Sequence, residues 1–376
     1  MNLLSLLSMI PGSVVSASTK LAGALIGVLG IGFLIGFHEL GHFLFAKLFN
    51  IRTPSFSIGF GPSLISKKIG DTNFSLSAIP LGGYVQLAHD DDDLKKSKYS
   101  SHTFTSRPYW QKLLVMLGGI AFNLLFAYVA FILLFAIGIP NSRYMVPLNS
   151  TSKIENVVSN SAAANAGLVK GDVIESIDKT AINHNISNLL KILRSHPDQT
   201  VTLGIKRSDK IIDIPVTLQS TNYLGKKTGI LGVEFGSRPL PPVSFFEAIK
   251  KGISATNSWV KRTIGNYVHL FSSASLNGAQ GPLAIISQTG KEGGQGIKQL
   301  LIFLAIISIN LAVLNLIPLP ILDGGQILLY SIEALIGRSI PTNIRELIQI
   351  GCWFLILGVL IYASYNDVLR IFGFNK

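Results

Sequence analysis

The residues best suited to chemistry in this chain of 376 residues are two histidines and a glutamate in the segment His38-Glu39-Leu40-Gly41-His42. His38 and His42 are four positions apart, so on a helix their imidazoles project from one face about one turn apart. That spacing suits two ligands of one zinc ion. Glu39 lies beside them and can take a proton from a water that the metal activates. The segment therefore predicts a hydrolytic zinc centre.

The sequence on both sides of this segment is strongly apolar. Leu21–Phe37 contains no charge, and the apolar pattern resumes after His42 with Phe43–Ala46. An ionisable side chain inside a membrane helix costs about 2.5–3.5 kcal/mol on insertion scales, so it needs a compensating partner. A divalent cation is such a partner, which favours a metal site over a chance occurrence of the motif.

The composition indicates a multi-pass membrane protein. Apolar residues make up 48% of the chain, charged residues only 14%, and the mean hydropathy is positive. The net charge of +12 comes from basic residues that are scattered and often flank apolar segments, which favours attraction to anionic lipid heads over nucleic-acid binding. The single cysteine, Cys352, excludes an intramolecular disulfide and a site built from several thiolates.

Four segments are apolar enough to cross a membrane, which takes about 20 residues each. They are Leu21–Phe45, Leu113–Ile139, the stretch from Leu300 through Ile317, and Ile348–Tyr362. Residues 1–20 have no basic residue before their apolar part, which argues against a cleaved signal peptide. We interpret them as an ordered or interfacial lead-in to the first span.

The region between the first two spans has β character. Phe56–Phe60 and Phe74–Ile79 are typical of strands, and Gly82–Val85 can continue the sheet. Their serines and glycines are too polar to face lipid, so this sheet can enter the membrane only where protein shelters its backbone. The acidic run Asp90–Asp93 is interpreted as a solvated loop, with a calcium site as the alternative.

A long stretch of soluble character separates the second and third spans. Ile154–Leu218 alternates short strands with a helix over Ile186–Arg194. Ser244–Phe271 has the apolar spacing of an amphipathic helix with a basic face. This helix can lie on the membrane surface or pack against the soluble domain.

Asp323 is the candidate for a third metal ligand, because a catalytic zinc site with two histidines and a water leaves one protein ligand unassigned. This carboxylate follows an apolar span, and Pro318 and Pro320 break the helix just before it. Gly324 and Gly325 let the backbone pack closely around the site. A helix N-cap at the membrane surface is the alternative role for Asp323.

Two asparagines lie in the predicted spans. Asn315 can donate a hydrogen bond to the oxyanion that forms when water attacks a peptide carbonyl, or it can be a polar contact between helices. Asn123 is predicted to be such a packing contact.

Together these motifs resemble the site-two protease family (M50-type) of intramembrane zinc metalloproteases, and within it the bacterial branch that carries out regulated intramembrane proteolysis. The matching stretches follow the family's order over nearly the whole chain. Besides His38–His42 and Leu322–Gly324 they are Phe56–Pro62, Ser75–Val85, Arg107–Gln111 and Gly281–Leu283.

The resemblance implies a multi-pass α-helical membrane protein of about four transmembrane helices, with a membrane-associated β-loop and one extracytoplasmic PDZ-like α/β domain. Ala166–Ile174 is the most telling stretch of that domain. Well-known proteobacterial relatives carry two such domains in tandem, whereas this chain has sequence for one. In the family the β-loop clamps the substrate as an added strand, which implies substrate-binding roles for Ser57, Ile58, Gly59, Phe60, Gly82, Gly83 and Tyr84.

The predicted organisation has five parts. They are a lead-in at 1–20, the first part of the membrane core at 21–139, the PDZ-like domain at 140–222, an amphipathic or interfacial helical connector at 223–295, and the second part of the membrane core at 296–376.

The predicted activity is that of a zinc metalloendopeptidase, with Zn²⁺ held by His38, His42 and Asp323 and with Glu39 as general base. The target is a peptide bond within or near the transmembrane segment of another membrane protein, and the candidate substrates are single-span proteins such as anti-sigma factors and signal-peptide remnants. A PDZ-bearing membrane scaffold and a metal transporter are the alternatives, although a transporter would more often show repeated halves. The expected location is a bacterial inner membrane, with a chloroplast membrane as the alternative.

Overall fold

The computed structural model describes residues 12–88, 102–145, 148, 150–182, 186–223, 226–273 and 281–371. The residues of the lead-in before position 12 and the acidic run Asp90–Asp93 lie outside these ranges. The chain divides into two compact units. The membrane unit comprises Met1–Ile132, Gly252–Thr263 and Leu276–Lys376, and the α/β unit comprises Leu133–Lys251 and Ile264–Ser275.

Helices and strands follow the predicted order. The helices are α1 Gly12–Leu48, α2 Tyr109–Ile137, α3 Ala162–Asn165, α4 Ile186–Ser195, α5 Phe245–Ser273, α6 Pro282–Gly294, α7 Ile297–Asn315, α8 Asp323–Ile336 and α9 Thr342–Ile371. The strands are β1 Ser55–Ile69, β2 Thr72–Gln86, β3 Ser150–Val157, β4 Val173–Ile177, β5 Thr180–Ala181, β6 Thr200–Arg207, β7 Lys210–Thr217, β8 Gln219–Tyr223, β9 Lys226–Ile230 and β10 Val233–Ser237.

Four of the described helices are long and apolar enough to cross a membrane, judged by length and composition. Their candidate spans are Leu25–Leu48, Tyr109–Ile137, Ile297–Asn315 and Thr342–Leu369. Each span overlaps one of the four segments that the sequence predicts. Helices α2 and α9 begin before their predicted apolar runs, at Tyr109 and Thr342, because the polar residues there also adopt helical conformation. Helices α2 and α7 end earlier than predicted, at Ile137 and Asn315.

Glycines allow the membrane helices to approach closely. A methyl group on Gly290 of α6 would overlap the backbone of Gly23 in α1, and one on Gly41 of α1 would overlap the carbonyl of Gly118 in α2. Since lipid tails are as apolar as leucine, close backbone packing at small residues is what drives membrane helices together. The second contact lies within the motif of the first span, so it fixes α2 against the face that carries the histidines.

The hairpin of β1 and β2 forms a small bulged sheet. Ser55–Ile58 pairs on one side with Asn73–Leu76 and on the other with Gly83–Gln86, while the outer part of the hairpin pairs Ser63–Ile69 with Thr72–Ser77. Gly59 has a positive φ of 95°, a conformation that glycine adopts without the strain of a side chain, at the bend that separates the two parts. The predicted strand segments are therefore all present, and Gly83–Gln86 forms one edge of the sheet.

A carboxylate in the last span caps a neighbouring helix. Asp367 is 1% exposed, and it accepts hydrogen bonds from the backbone N–H groups of Gly281, at 3.1 Å, and Ala284, at 3.0 Å. These groups belong to the start of α6, which has no side-chain cap of its own at Gly281. The positive end of the helix dipole compensates the buried charge.

The α/β unit is built on a six-stranded sheet with the order β10-β3-β4-β6-β7, to which β5 adds beside β4. Its core contains residues of the sheet and of α4, which buries Ile186, Leu189 and Leu193. The paired strand β10 carries this sheet to Ser237, beyond the predicted boundary at residue 222. Strands, and not a helical connector, therefore occupy the first part of the predicted 223–295 segment.

Helix α5 occupies almost the predicted Ser244–Phe271 stretch. Within the membrane unit its central part packs on α2, where a methyl group on Gly252 would lie 2.6 Å from Ile132 Cγ1 and Tyr128 Oη donates to Asn257 Oδ1 at 2.6 Å. Phe245 and Phe246 at its start are 67% and 82% exposed. The sequence suggested that this helix lies on the membrane surface or packs against the soluble domain. Its contact with the second span was not predicted.

Candidate metal centre

The two histidines of the motif lie on one face of α1 and point at each other. Their Nε2 atoms are 3.1 Å apart, and both residues are buried, with exposures of 9% and 7%. Asp323 Oδ2 lies 3.3 Å from His38 Nε2 and 3.5 Å from His42 Nε2. Asp323 is 285 positions from His38 in the sequence, yet its carboxylate and the two imidazoles lie close enough together to bind one metal ion.

These distances fit a zinc ion. Zinc–nitrogen and zinc–oxygen bonds of about 2.0–2.1 Å in a tetrahedron separate neighbouring ligand atoms by about 3.3 Å, which is the spacing of the three atoms here. Asp323 Oδ2 is also buried and has no hydrogen-bond partner among the described residues. An orphaned carboxylate oxygen between two converging imidazole nitrogens is explained by a cation that all three bind.

The predicted alternative for Asp323, an N-cap, does not hold in the structure. Leu322 occupies the N-cap position of α8, and Asp323 is the first residue of the helix. The chain between α7 and α8 folds back tightly, and methyl groups on Gly324 and Gly325 would overlap the carbonyls of Leu316 and Leu319. The close packing that the sequence predicts at these glycines is therefore present, and it turns the carboxylate towards the histidines.

Partners behind the imidazoles fix which nitrogen faces the metal. His42 Nδ1 lies 2.8 Å from the carbonyl oxygen of Val115, so Nδ1 carries the proton and Nε2 is free to coordinate. His38 Nδ1 lies 3.0 Å from the side-chain amide of Asn123. The amide atom at this distance is Nδ2, and Asn123 Oδ1 is buried without a hydrogen-bond partner among the described residues. Exchanging the two amide atoms by a flip of the side chain lets Oδ1 accept the Nδ1 proton, and His38 then also presents a bare Nε2.

Sequence reasoning placed Asn123 among packing contacts and did not single out Gly119. Asn123 is fully buried and does connect two helices, but the group that it contacts is a predicted metal ligand. A methyl group on Gly119 would lie 2.5 Å from His38 Cε1 and would overlap His42 Nε2. The available signals were an amide in an apolar span and the pair Gly118-Gly119 four residues before it.

A cavity of about 400 Å³ opens beside the three ligands. Glu39 and Asn315 both line it, and Asn315 Nδ2 lies 3.4 Å from His38 Nε2. The backbone N–H of Val85 donates to the Glu39 carboxylate. A proton acceptor and an amide donor therefore face the same space as the metal ligands.

The edge of the small sheet forms one wall of this cavity. Gly83 and Tyr84 line it, and a methyl group on Gly83 would lie 3.2 Å from Glu39 Cγ. The other predicted substrate-binding residues lie within the sheet and its contacts. Ser57 is fully buried and donates to the Gly59 carbonyl, Ile58 packs on Gly36 of α1, and the Phe60 ring covers Gly82.

Comparison with known proteins identifies the family to which the chain belongs. The model of Peptidase family M50 matches residues 26–359, a range that contains all three ligands. The chain belongs to this family. The prediction of a site-two protease of the M50 type is thereby confirmed.

Relatives of this M50 peptidase cover nearly all of it. "Putative zinc metalloprotease Atu1380" of Agrobacterium fabrum is 31% identical over 96% of this chain and 100% of its own length. "Putative zinc metalloprotease Cj1068" of Campylobacter jejuni is 33% identical over 92% of this chain and 93% of its own. "Probable membrane metalloprotease ARASP2, chloroplastic" of Arabidopsis thaliana is 31% identical over 90% of this chain and 78% of its own.

Among solved structures, the PDZ domain of the SdrC-like protein from Listeria monocytogenes is similar over 23% of this chain and 87% of that chain. Its sequence identity is 23% and its TM-score is 0.20.

The protein is therefore a membrane zinc metalloprotease with several apolar helices long enough to span a membrane. His38, His42 and Asp323 can form its zinc site, and they are the group of ligand-type side chains that the described residues bring within 4.8 Å of one another. The predictions of enzyme class and of zinc as cofactor are confirmed.

Proposed function

We propose that this M50 protease hydrolyses peptide bonds within or near the transmembrane segments of other membrane proteins, as in regulated intramembrane proteolysis. The observation that carries the proposal is the depth of the site. The span Leu25–Leu48 has 24 residues, and His38 is its fourteenth, about 20 Å along the helix axis from Leu25. A catalytic site near the middle of a span serves a substrate that is itself in the membrane.

The residues around the ligands support hydrolysis. When bound, zinc supplies Lewis acidity that makes a water reactive at neutral pH. Glu39 takes the proton of the attacking water and gives it to the nitrogen of the leaving amine, so that the carbonyl carbon gains the hydroxyl as the C–N bond breaks. Asn315 Nδ2 faces the same cavity and donates to the developing oxyanion.

The sheet edge at Gly83–Gln86 supplies a binding surface for an extended substrate. One side of this segment pairs with Ser55–Ile58, and no strand among the described residues pairs with its other side, which borders the cavity. A substrate helix that unwinds near the site can add to this edge through main-chain hydrogen bonds. Gly83 keeps the edge free of a side chain beside Glu39.

The setting of the reaction completes the proposal. The substrates are single-span proteins of the anti-sigma-factor or signal-peptide-remnant type. The membrane is a bacterial inner membrane. The α/β unit is a PDZ-like domain on the extracytoplasmic side, where it restricts access by bulky substrates. The apolar spans and the resemblance of the chain to the regulated-proteolysis branch support this setting.

The test compares the wild-type protein with Glu39→Gln, both purified in detergent and loaded with zinc, on a model single-span substrate. Wild type should cut the substrate, a chelator should stop it, and Glu39→Gln should retain zinc by elemental analysis but not cut. A scaffold would bind the substrate without cleavage, and a transporter would move zinc across vesicle membranes. Cleavage by Glu39→Gln at the wild-type rate would refute the role of Glu39.

A further inference from the structure

A second cavity lies in the membrane unit, away from the zinc ligands. It has a volume of about 340 Å³ and is formed where α2 begins and where α8 ends. Tyr109 and Lys112 line it from α2, Tyr330 and Glu333 from α8, and Arg338 from the connection to α9. The hydrolytic mechanism uses none of these residues.

The cavity has an excess of positive charge. Lys112 Nζ lies 5.7 Å from the centre of the Tyr330 ring, and Arg345 Cζ, at the start of α9, lies 5.0 Å from the same centre. The acidic residue, Glu333, is engaged from two sides, since Oε1 accepts the N–H of Ile340 at 3.0 Å and lies 3.5 Å from Arg345 Nη2. Two cations, Lys112 and Arg338, therefore line the cavity with one carboxylate, whose charge Arg345 already pairs.

Arg345 lies beside this group but is not among the residues that line the cavity. Its Nη2 atom pairs with Glu333 Oε1 at 3.5 Å, and its guanidinium lies over the Tyr330 ring. An oxyanion in the cavity would therefore meet Lys112 and Arg338, while the one carboxylate there is already paired.

The position of these residues along the spans identifies the surroundings of the cavity. Lys112 is the fourth residue of the span Tyr109–Ile137, and Arg338 and Arg345 flank the start of the span Thr342–Leu369. Trp110, beside Tyr109, is 52% exposed at the same end of α2. Exposed aromatic and basic residues at the end of a span are typical of the level of the lipid headgroups.

We propose that this cavity binds a phosphate group. Lys112 provides a point charge and Arg338 a planar fork of donors, which are the two side chains that proteins use for phosphate. Tyr330 forms an aromatic wall against which both Lys112 and Arg345 are held. The same chemistry is offered by the headgroup of an anionic phospholipid and by inorganic phosphate, so the experiment separates these two sources.

The test uses the full-length protein in detergent. In one arm, native mass spectrometry counts bound phosphatidylglycerol against phosphatidylcholine, a zwitterionic lipid. In the other arm, the shift of the thermal unfolding midpoint is measured with inorganic phosphate and with chloride at equal ionic strength. Retention of phosphatidylglycerol over phosphatidylcholine assigns the site to a lipid headgroup, and a phosphate-specific shift alone assigns it to the free ion.

Three double variants make the result specific. Lys112→Gln with Arg338→Gln should weaken the affinity for the phosphate-bearing ligand by about tenfold or more. Lys112→Arg with Arg338→Lys keeps both charges and should bind nearly as wild type, which separates lost binding from a fold defect. Lys153→Gln with Lys210→Gln removes two exposed charges from the α/β unit and is the matched control.

Two results would overturn the proposal. One is that wild type shows neither a preference for phosphatidylglycerol nor a phosphate-specific shift. The other is that the cavity variant and the matched control lose binding equally, because the effect would then come from net charge and not from this cavity.

Discussion

The side-chain amide of Asn123 lies 3.0 Å from His38 Nδ1, so a residue of the second span holds the imidazole of a ligand in the first. Asn123 is itself fixed, because Ser308 Oγ in the third span donates to its backbone carbonyl at 2.8 Å. Three spans are therefore joined behind one metal ligand. The orientation of His38 depends on their packing as much as on the helix that carries it.

Replacing Asn123 by alanine should weaken zinc binding while the fold is kept. Partners of metal-bound histidines typically contribute about 10–100-fold to metal affinity, since they hold the ring and its tautomer. The affinity is measured by competition with a chromophoric chelator. Asp323→Ala, which removes a ligand, is the reference for full loss of the site.

Asn310→Ala is the matched control for this prediction, because the hydrogen bond that the amide of Asn310 makes to the described residues stays within its own helix, to the Ile306 carbonyl at 2.8 Å. Asn123→Asp should retain much of the affinity, since a carboxylate can accept the Nδ1 proton. Equal zinc affinity in Asn123→Ala and Asn310→Ala would show that the contact does not support the ligand.

The zinc ligands could be predicted from the sequence because their signals are local. His38 and His42 are one helical turn apart, and Asp323 is a carboxylate directly after an apolar span, where the sequence left a metal ligand and a helix N-cap as the two roles. The partners behind the ligands could not be predicted in this way. The contact between Asn123 and His38 spans 85 positions and depends on the rotation of two helices about their axes, which apolar runs do not encode.

The fold, like the metal site, could be predicted from the sequence only in part. The spans and the strand segments of the hairpin follow from length, hydropathy and alternation. The double pairing of Ser55–Ile58 does not, because the bulge at Gly59 sets the register and the sequence has several glycines that could hold it. The sheet edge that borders Glu39 is a consequence of that register, so it became visible only in the structure.

Replacing Gly119 by alanine should lower the zinc content and the proteolytic activity together. The added methyl group would lie 2.5 Å from His38 Cε1 and would overlap His42 Nε2, so the imidazoles must move apart. Overpacking of this kind costs about 1–3 kcal/mol. Zinc is counted by elemental analysis of the purified protein.

The control for Gly119→Ala is Gly351→Ala, since a methyl group on Gly351 in α9 would meet no atom within 4 Å. Both substitutions add the same group to a membrane helix, so they share any effect of helix propensity. Wild-type zinc content in Gly119→Ala would mean that the two helices separate without disturbing the ligands.

Replacing Asp367 by alanine should destabilise the membrane unit. The substitution removes the acceptor for Gly281 and Ala284 at the start of α6, and loss of a helix cap costs about 1–2 kcal/mol. Thermal unfolding in detergent measures the change. Asp367→Asn keeps one acceptor oxygen and should fall between wild type and Asp367→Ala, whereas identical midpoints for all three proteins would exclude a capping role.

The α/β unit should lose stability in acid through one ion pair. Arg207 donates to both oxygens of Asp172 at 2.8 Å, and these hydrogen bonds hold the pKa of that carboxyl below its usual range. The pKa is lower in the folded than in the unfolded state. The contribution to stability is therefore complete above the unfolded pKa of about 3.9, and it is lost as the pH falls through the lower folded pKa.

Cleavage of the full-length protein by an acid-active protease, read at sites within residues 150–237, measures this effect. Between about pH 5 and about pH 2 the free energy of opening should fall more steeply in wild type than in Asp172→Asn, which cannot titrate at this position. Asp213→Asn removes an exposed carboxylate of the same sheet and should leave the wild-type slope unchanged. If Asp172→Asn showed the same pH dependence as wild type, the loss of stability in acid could not come from protonation of Asp172, and its pair with Arg207 would not be the cause.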